Sequence, residues 1–99
     1  MLAKTKFKEM LCDRFMIACE ASLLPKNAFA KRVGLIPSQI TNISNYRNPP
    51  SHDAIRAAIR EFGFTANWFY EGDHVGFRDE ALGRRVEALE ARAPEESEA

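Results

Sequence analysis

The segment Lys26 to Asn45, KNAFAKRVGLIPSQITNISN, constrains the fold of this chain more than any other, because its apolar spacing fits two short helices joined by a glycine turn. Apolar or small residues fall at Phe29, Ala30, Val33, Leu35, Ile40 and Ile43, and Gly34 stands where the chain must reverse. A helix brings positions three and four apart onto one face. Phe29 and Val33 therefore share one face, Ile40 and Ile43 share another, and Leu35 closes the corner. Ala30 lets the two helices approach closely there. Gly34 reaches the left-handed backbone conformation that ends a helix at no steric cost.

The same reasoning predicts helices on both sides. A first helix is expected over about Thr5 to Glu20, with Phe7, Leu11, Phe15 and Ala18 or Cys19 as its inner stripe. The second runs from Lys26 to Val33. The third opens at Pro37, whose missing N–H costs nothing in a first turn, and continues to about Tyr46. Asn48 to Ser51 read as a turn, with Ser51 capping a fourth helix that ends at Gly63 and turns Ile55, Ala58, Ile59 and Phe62 inward. Thr65 caps a short fifth helix, with Phe64 stapled onto Phe69, Trp68 as core anchor and Gly72-Asp73 as its end.

Gly72 to Arg78 reads as a linker. DEALGRRVEALEAR then predicts an exposed helix from a cap at Asp79 to Pro94, and EESEA a solvated, mobile tail. Leu82, Val86, Leu89 and Ala93 step by four, three and four, the spacing of a narrow coiled-coil seam. Such a seam has two possible destinations, a second copy in a homodimer or the chain's own core. The expected fold class is all-α. A compact five-helix bundle occupies residues 1–73, and a linker, an appended helix and an acidic tail occupy 74–99.

Composition limits the chemistry. A chain of 99 residues with 45% apolar residues and seven Phe holds one compact core. No apolar run approaches the ~20 residues of a membrane span, and the charged start MLAKTKFKEML offers no secretory stretch. The expectation is a cytoplasmic protein. Cys12 and Cys19 lie roughly 10.5 Å apart along one helix, too far for a mutual disulfide, and read as core thiols. His52 and His74 have no Cys, Asp or Ser partner at catalytic spacing, and the carboxylate pairs Asp79-Glu80 and Glu95-Glu96 sit in the tail. There is no nucleotide-binding or nucleophile motif. An enzyme is not expected, nor a cofactor or metal.

Net charge is zero but unevenly divided. Residues 1 to 50 carry eight Lys or Arg against three Asp or Glu, whereas residues 51 to 99 carry six against eleven. Such polarity suits phosphate contact on the N-terminal side and repels it from the tail.

With FAKRVG at 29–34, SQITNIS at 38–44, PPS at 49–51 and GFTANWFYEGD at 63–73, the chain resembles the Cro/C1-type (XRE) helix-turn-helix family of phage repressors and small bacterial transcription regulators. The likeness covers roughly residues 5 to 73 and implies a lambda-repressor-like bundle. It further implies that the third helix enters the major groove of operator DNA. On that basis Pro37, Ser38, Gln39, Thr41 and Asn42 are the candidates for base edges. Lys26, Lys31, Arg32, Asn45 and Arg47 are the candidates for phosphates, which set register without reading sequence. Asn and Gln bond adenine at two points, and a Thr methyl meets a thymine methyl.

The chain departs from the family pattern in three places. Ile36 and Pro37 stand where a polar cap and a long polar residue are usual, Ser44 and Tyr46 where acidic and Gly residues are common, and no Arg occupies the middle of the reading face. The implied function is a DNA-binding transcription regulator, a repressor acting as a dimer on a two-fold operator. The alternative is a module of the same scaffold that binds a protein partner, an antiactivator or antitoxin-like protein that sequesters a transcription factor.

Overall fold

The computed structural model describes residues 4–98, and side chains from 6 to 92. Every regular element among them is helical. The helices are α1 (Lys4–Ala21), α2 (Lys26–Arg32), α3 (Pro37–Ser44), α4 (His52–Phe62), α5 (Ala66–Glu71) and α6 (Glu80–Glu98). None of the described helices is long and apolar enough to cross a membrane.

α1 is the central post, packing against α2, α3, α5 and α6. Its buried residues, Leu11, Cys12, Phe15, Ala18, Cys19 and Ala21, follow the helical period. The expected stripe is one residue too long, since Phe7 is 45% exposed. The turn from Lys6 to Glu9 stands largely clear of the core, so periodicity alone extended the apolar face past the end of its cover.

The turn between α2 and α3 follows from Gly34, at φ +82°. Gly34 N donates to the Lys31 carbonyl (3.2 Å) and Leu35 N to the Ala30 carbonyl (2.8 Å), the paired bonds that satisfy the last carbonyls of a helix. α3 ends earlier than Tyr46, at Ser44, because Tyr46 itself takes the left-handed conformation at φ +63°. Its N–H reaches the Ile43 carbonyl and that of Arg47 the Asn42 carbonyl, the same closure with tyrosine in the glycine's place. A side chain there costs roughly 1–2 kcal/mol. The Tyr46 hydroxyl offsets part of this by donating to Asp13 on α1.

Polar caps start the next two helices. Ser51 Oγ accepts from Ala54 N (3.1 Å) and Thr65 Oγ1 from Trp68 N (3.0 Å). Gly63 and Gly72 close them in left-handed conformations. Phe64 and Phe69 meet at 5.7 Å between centroids, as the staple requires, and Trp68 is wholly buried against both.

α6 corrects the expectation of an exposed helix. Its cap is Asp79, whose Oδ1 accepts from Ala81 N (2.9 Å). Leu82 and Val86 are 2% and 0% exposed and belong to the same core cluster as Cys12, Phe15 and Trp68, with Leu89 half-buried against it. The seam proposed for a dimer, Leu82, Val86 and Leu89, is thus filled by the chain's own core; the side chain of Ala93 lies outside the described residues. Polar groups fix this docking. Arg85 Nε donates to the Ala21 carbonyl at the end of α1 (2.7 Å), and Trp68 Nε1 donates to Glu90 Oε2 (3.0 Å). Arg85 there meets the negative end of the α1 dipole. α6 also runs past Pro94 to Glu98 instead of stopping there. The expected mobile tail therefore lies in the helix as far as Glu98, and Ala99 is outside the described residues.

Candidate functional site

Ile40 and Ile43 are buried and set the inward direction of α3. With about 100° of rotation per residue, Ser38, Thr41, Asn42 and Asn45 fall within about 50° of the opposite direction. They form one stripe of hydroxyl and amide groups. Ser38, Thr41 and Asn45 are exposed and Asn42 is half-buried; Pro37 and Gln39 are exposed on the flanks. α3 carries no charged side chain, so this face offers directed hydrogen-bonding groups without the cost of desolvating an ion.

Gln39 has a second occupation. Its Oε1 accepts from Ile36 N at 2.9 Å. Ile36 is the N-cap of α3 and has no side-chain acceptor, which forgoes about 1 kcal/mol relative to a polar cap. The Gln39 carboxamide supplies the returning half of a capping box. One lone pair of its oxygen and its NH₂ remain for a ligand, so Gln39 both holds the start of α3 and edges its outer face. The three-residue spacing announces this contact, but an isoleucine where Ser or Thr is usual conceals it.

The cations divide into two groups. Lys26 at the start of α2, Lys31 in its last turn and Arg47 beyond α3 are exposed and form no ion pair among the described residues. Arg32 is different. Its Nε and NH2 donate to Glu61 Oε1 on α4 at 3.1 and 3.0 Å, and its guanidinium lies 5.0 Å from the Phe62 ring centroid. It links α2 to α4, and its side chain stays half-exposed, so this phosphate candidate is already paired, unlike the other three cations. Asn45, the remaining phosphate candidate, is the C-cap of α3 and exposed.

Tyr46 marks the end of this face. Its hydrogen bond to Asp13, with burial and the Asp13 charge adding to it, pushes the phenol pKa up to about 12. Thirty-three residues separate the two partners, so no spacing in the sequence announces the pair.

Away from α3, His74 is exposed and has two glutamate neighbours. Its Nε2 lies 2.6 Å from Glu90 Oε1 and its Nδ1 3.5 Å from Glu87 Oε2, both on α6. His52 Nδ1 lies 2.7 Å from the Tyr70 hydroxyl. A shallow depression beside His74 is lined by Phe77, Glu80, Gly83, Arg84 and Glu87. Cys12 and Cys19 are buried free thiols, and burial raises the pKa of each, which suppresses the reactive thiolate.

No protein-family model, curated protein or solved structure matches this chain. The outer face of α3 is therefore interpreted from its own residues.

Proposed function

We propose that this protein is a sequence-specific DNA-binding transcription regulator, a repressor in which α2 and α3 form a helix-turn-helix of the lambda-repressor-like type and α3 reads the major groove. The observation that carries this reading is the outer stripe of α3, in which Ser38, Thr41, Asn42 and Asn45 share one direction and no charge interrupts them. A helix face that only meets water is ordinarily filled with Glu and Lys, which solvate well and pair along the helix. Amides and hydroxyls at those positions match the donor and acceptor pattern of base edges. Lys26, Lys31 and Arg47 stand at the ends of the two helices, where phosphates flank a groove-bound helix.

A single small module binds too weakly to select one site from a genome, so two copies on adjacent half-sites supply the specificity. Leu82 and Val86 are committed to the core, which leaves the contact between copies to another surface. The protein is a repressor in this reading because occupying promoter DNA needs no further domain.

The test is equilibrium binding of the full chain to a duplex selected from random DNA. Ser38→Ala with Asn42→Ala should cost roughly 1–3 kcal/mol for each base edge no longer read, while the melting temperature stays within a few degrees because neither side chain is in the core. Unchanged affinity in the double variant refutes the assigned face. Capture by a host transcription factor with no duplex binding at any salt concentration would favour the protein-sequestering alternative.

A further inference from the structure

α4, α5 and α6 begin with side-chain caps from Ser51, Thr65 and Asp79, whereas α3 begins with Ile36, which is 60% exposed. Ile36 gives up a polar cap, as Pro25 does at the start of α2, and it alone adds to this an aliphatic side chain held in water at the leading end of α3. Departures of this kind concentrate at functional positions. The backbone explains the exposure. Ile36 is extended, with φ −89° and ψ 162°, and successive side chains in extended chain alternate direction. Leu35 turns into the corner and is partly buried against the core, and Ile36 turns out beside the exposed Pro37.

We infer that Ile36, extended by Pro37, forms an apolar edge that reads thymine methyl groups, so that the preferred half-site requires thymine under the start of α3. This rests on the reading of α3 as the groove-bound helix. The 5-methyl of thymine is the apolar group of the major-groove base edges. An aliphatic side chain at the leading end of a groove-bound helix finds its complement there. The neighbouring groups agree with this assignment. Asn42 supplies the amide that suits the adenine partner, Thr41 adds a second methyl, and α3 offers no guanidinium for guanine. The Gln39 bond to Ile36 N holds the backbone that carries this edge, so the edge is rigid before DNA arrives.

The experiment compares the full chain on a selected duplex and on copies in which single thymines are replaced by deoxyuridine, which removes the methyl and keeps every hydrogen-bonding group. Burying one methyl group is worth about fourfold in affinity, so at least one position should show a loss of about that size. Ile36→Ser, which restores a polar cap and should fold at least as well, should bind the copy carrying uracil at that position like the wild type and lose the preference for thymine there. Equal affinity of the wild type for both duplexes overturns the inference and leaves the DNA-reading face standing. A thymine preference that persists at the same position in Ile36→Ser overturns the assignment to Ile36. If no duplex is selected at all, the inference and the proposed function fall together.

Discussion

Leu82→Ala tests where the seam of α6 is spent. Leu82 is 2% exposed within the cluster that holds Phe15 and Trp68, and truncating a buried leucine costs roughly 2–5 kcal/mol through diminished transfer energy and the cavity left behind. A chain of 99 residues has about 5–15 kcal/mol of total stability. A loss of about 3 kcal/mol is therefore a large share of it, and at roughly 4–8 °C per kcal/mol the midpoint should fall by about 12–24 °C. Urea denaturation measures the free energy and a thermal scan the midpoint, each followed by helical dichroism and by the single tryptophan. Trp68 is well placed to report, because its indole N–H is bonded to Glu90 on α6. The measurement should be run at two protein concentrations about tenfold apart, with Leu23→Ala as control, since Leu23 is 71% exposed and should change stability by no more than about 0.5 kcal/mol. The same large loss is expected at both concentrations. A loss below about 1 kcal/mol, or one that grows on dilution, would place Leu82 between two copies and refute the packing argument.

Three further outcomes follow from the contacts around α2 and α3. Tyr46 holds its proton to about pH 12 when folded, above the ~10 of a free phenol, so its contribution to stability is complete below pH ~10 and disappears as pH rises through about 12. At 44% exposure solvent screening keeps that contribution small. The tyrosinate absorbance of the wild type minus that of Tyr46→Phe should have its midpoint near 12, and a midpoint near 10 would show that the Asp13 contact is absent in solution. In DNA binding, Lys31→Gln should reduce the salt slope by about one for each copy bound. Arg32→Gln should leave that slope unchanged and lower the melting temperature slightly, through removal of the Glu61 pair and the Phe62 stack; a reduced slope would return Arg32 to the phosphate contacts.

The helices were largely legible because each carries local signals that act within a few residues. Gly34, Gly63 and Gly72 sit at left-handed closures, Ser51 and Thr65 at caps, and the three- and four-residue steps of Phe29, Val33, Ile40 and Ile43 coincide with burial. Long-range choices were not legible. The spacing of Leu82, Val86 and Leu89 is equally suited to a second copy or to the core beside α1, and only the turn at Gly72 to Asp79 brings it back. Arg32 reads as a free cation until α4 places Glu61 beside it, 29 residues away. Gln39 reads as an outward amide until the extended backbone at Ile36 turns an N–H toward it. The outer stripe of α3 was legible as a stripe, since its direction follows from Ile40 and Ile43 alone.

Selection of the full chain against random duplex DNA near physiological salt tests the central claim most directly. The account predicts a consensus of two related half-sites about one helical turn apart, with affinity that falls as salt rises and a preference for the consensus that is lost in Ser38→Ala with Asn42→Ala. Enrichment of no sequence, together with retention indifferent to salt and to those two substitutions, would contradict it.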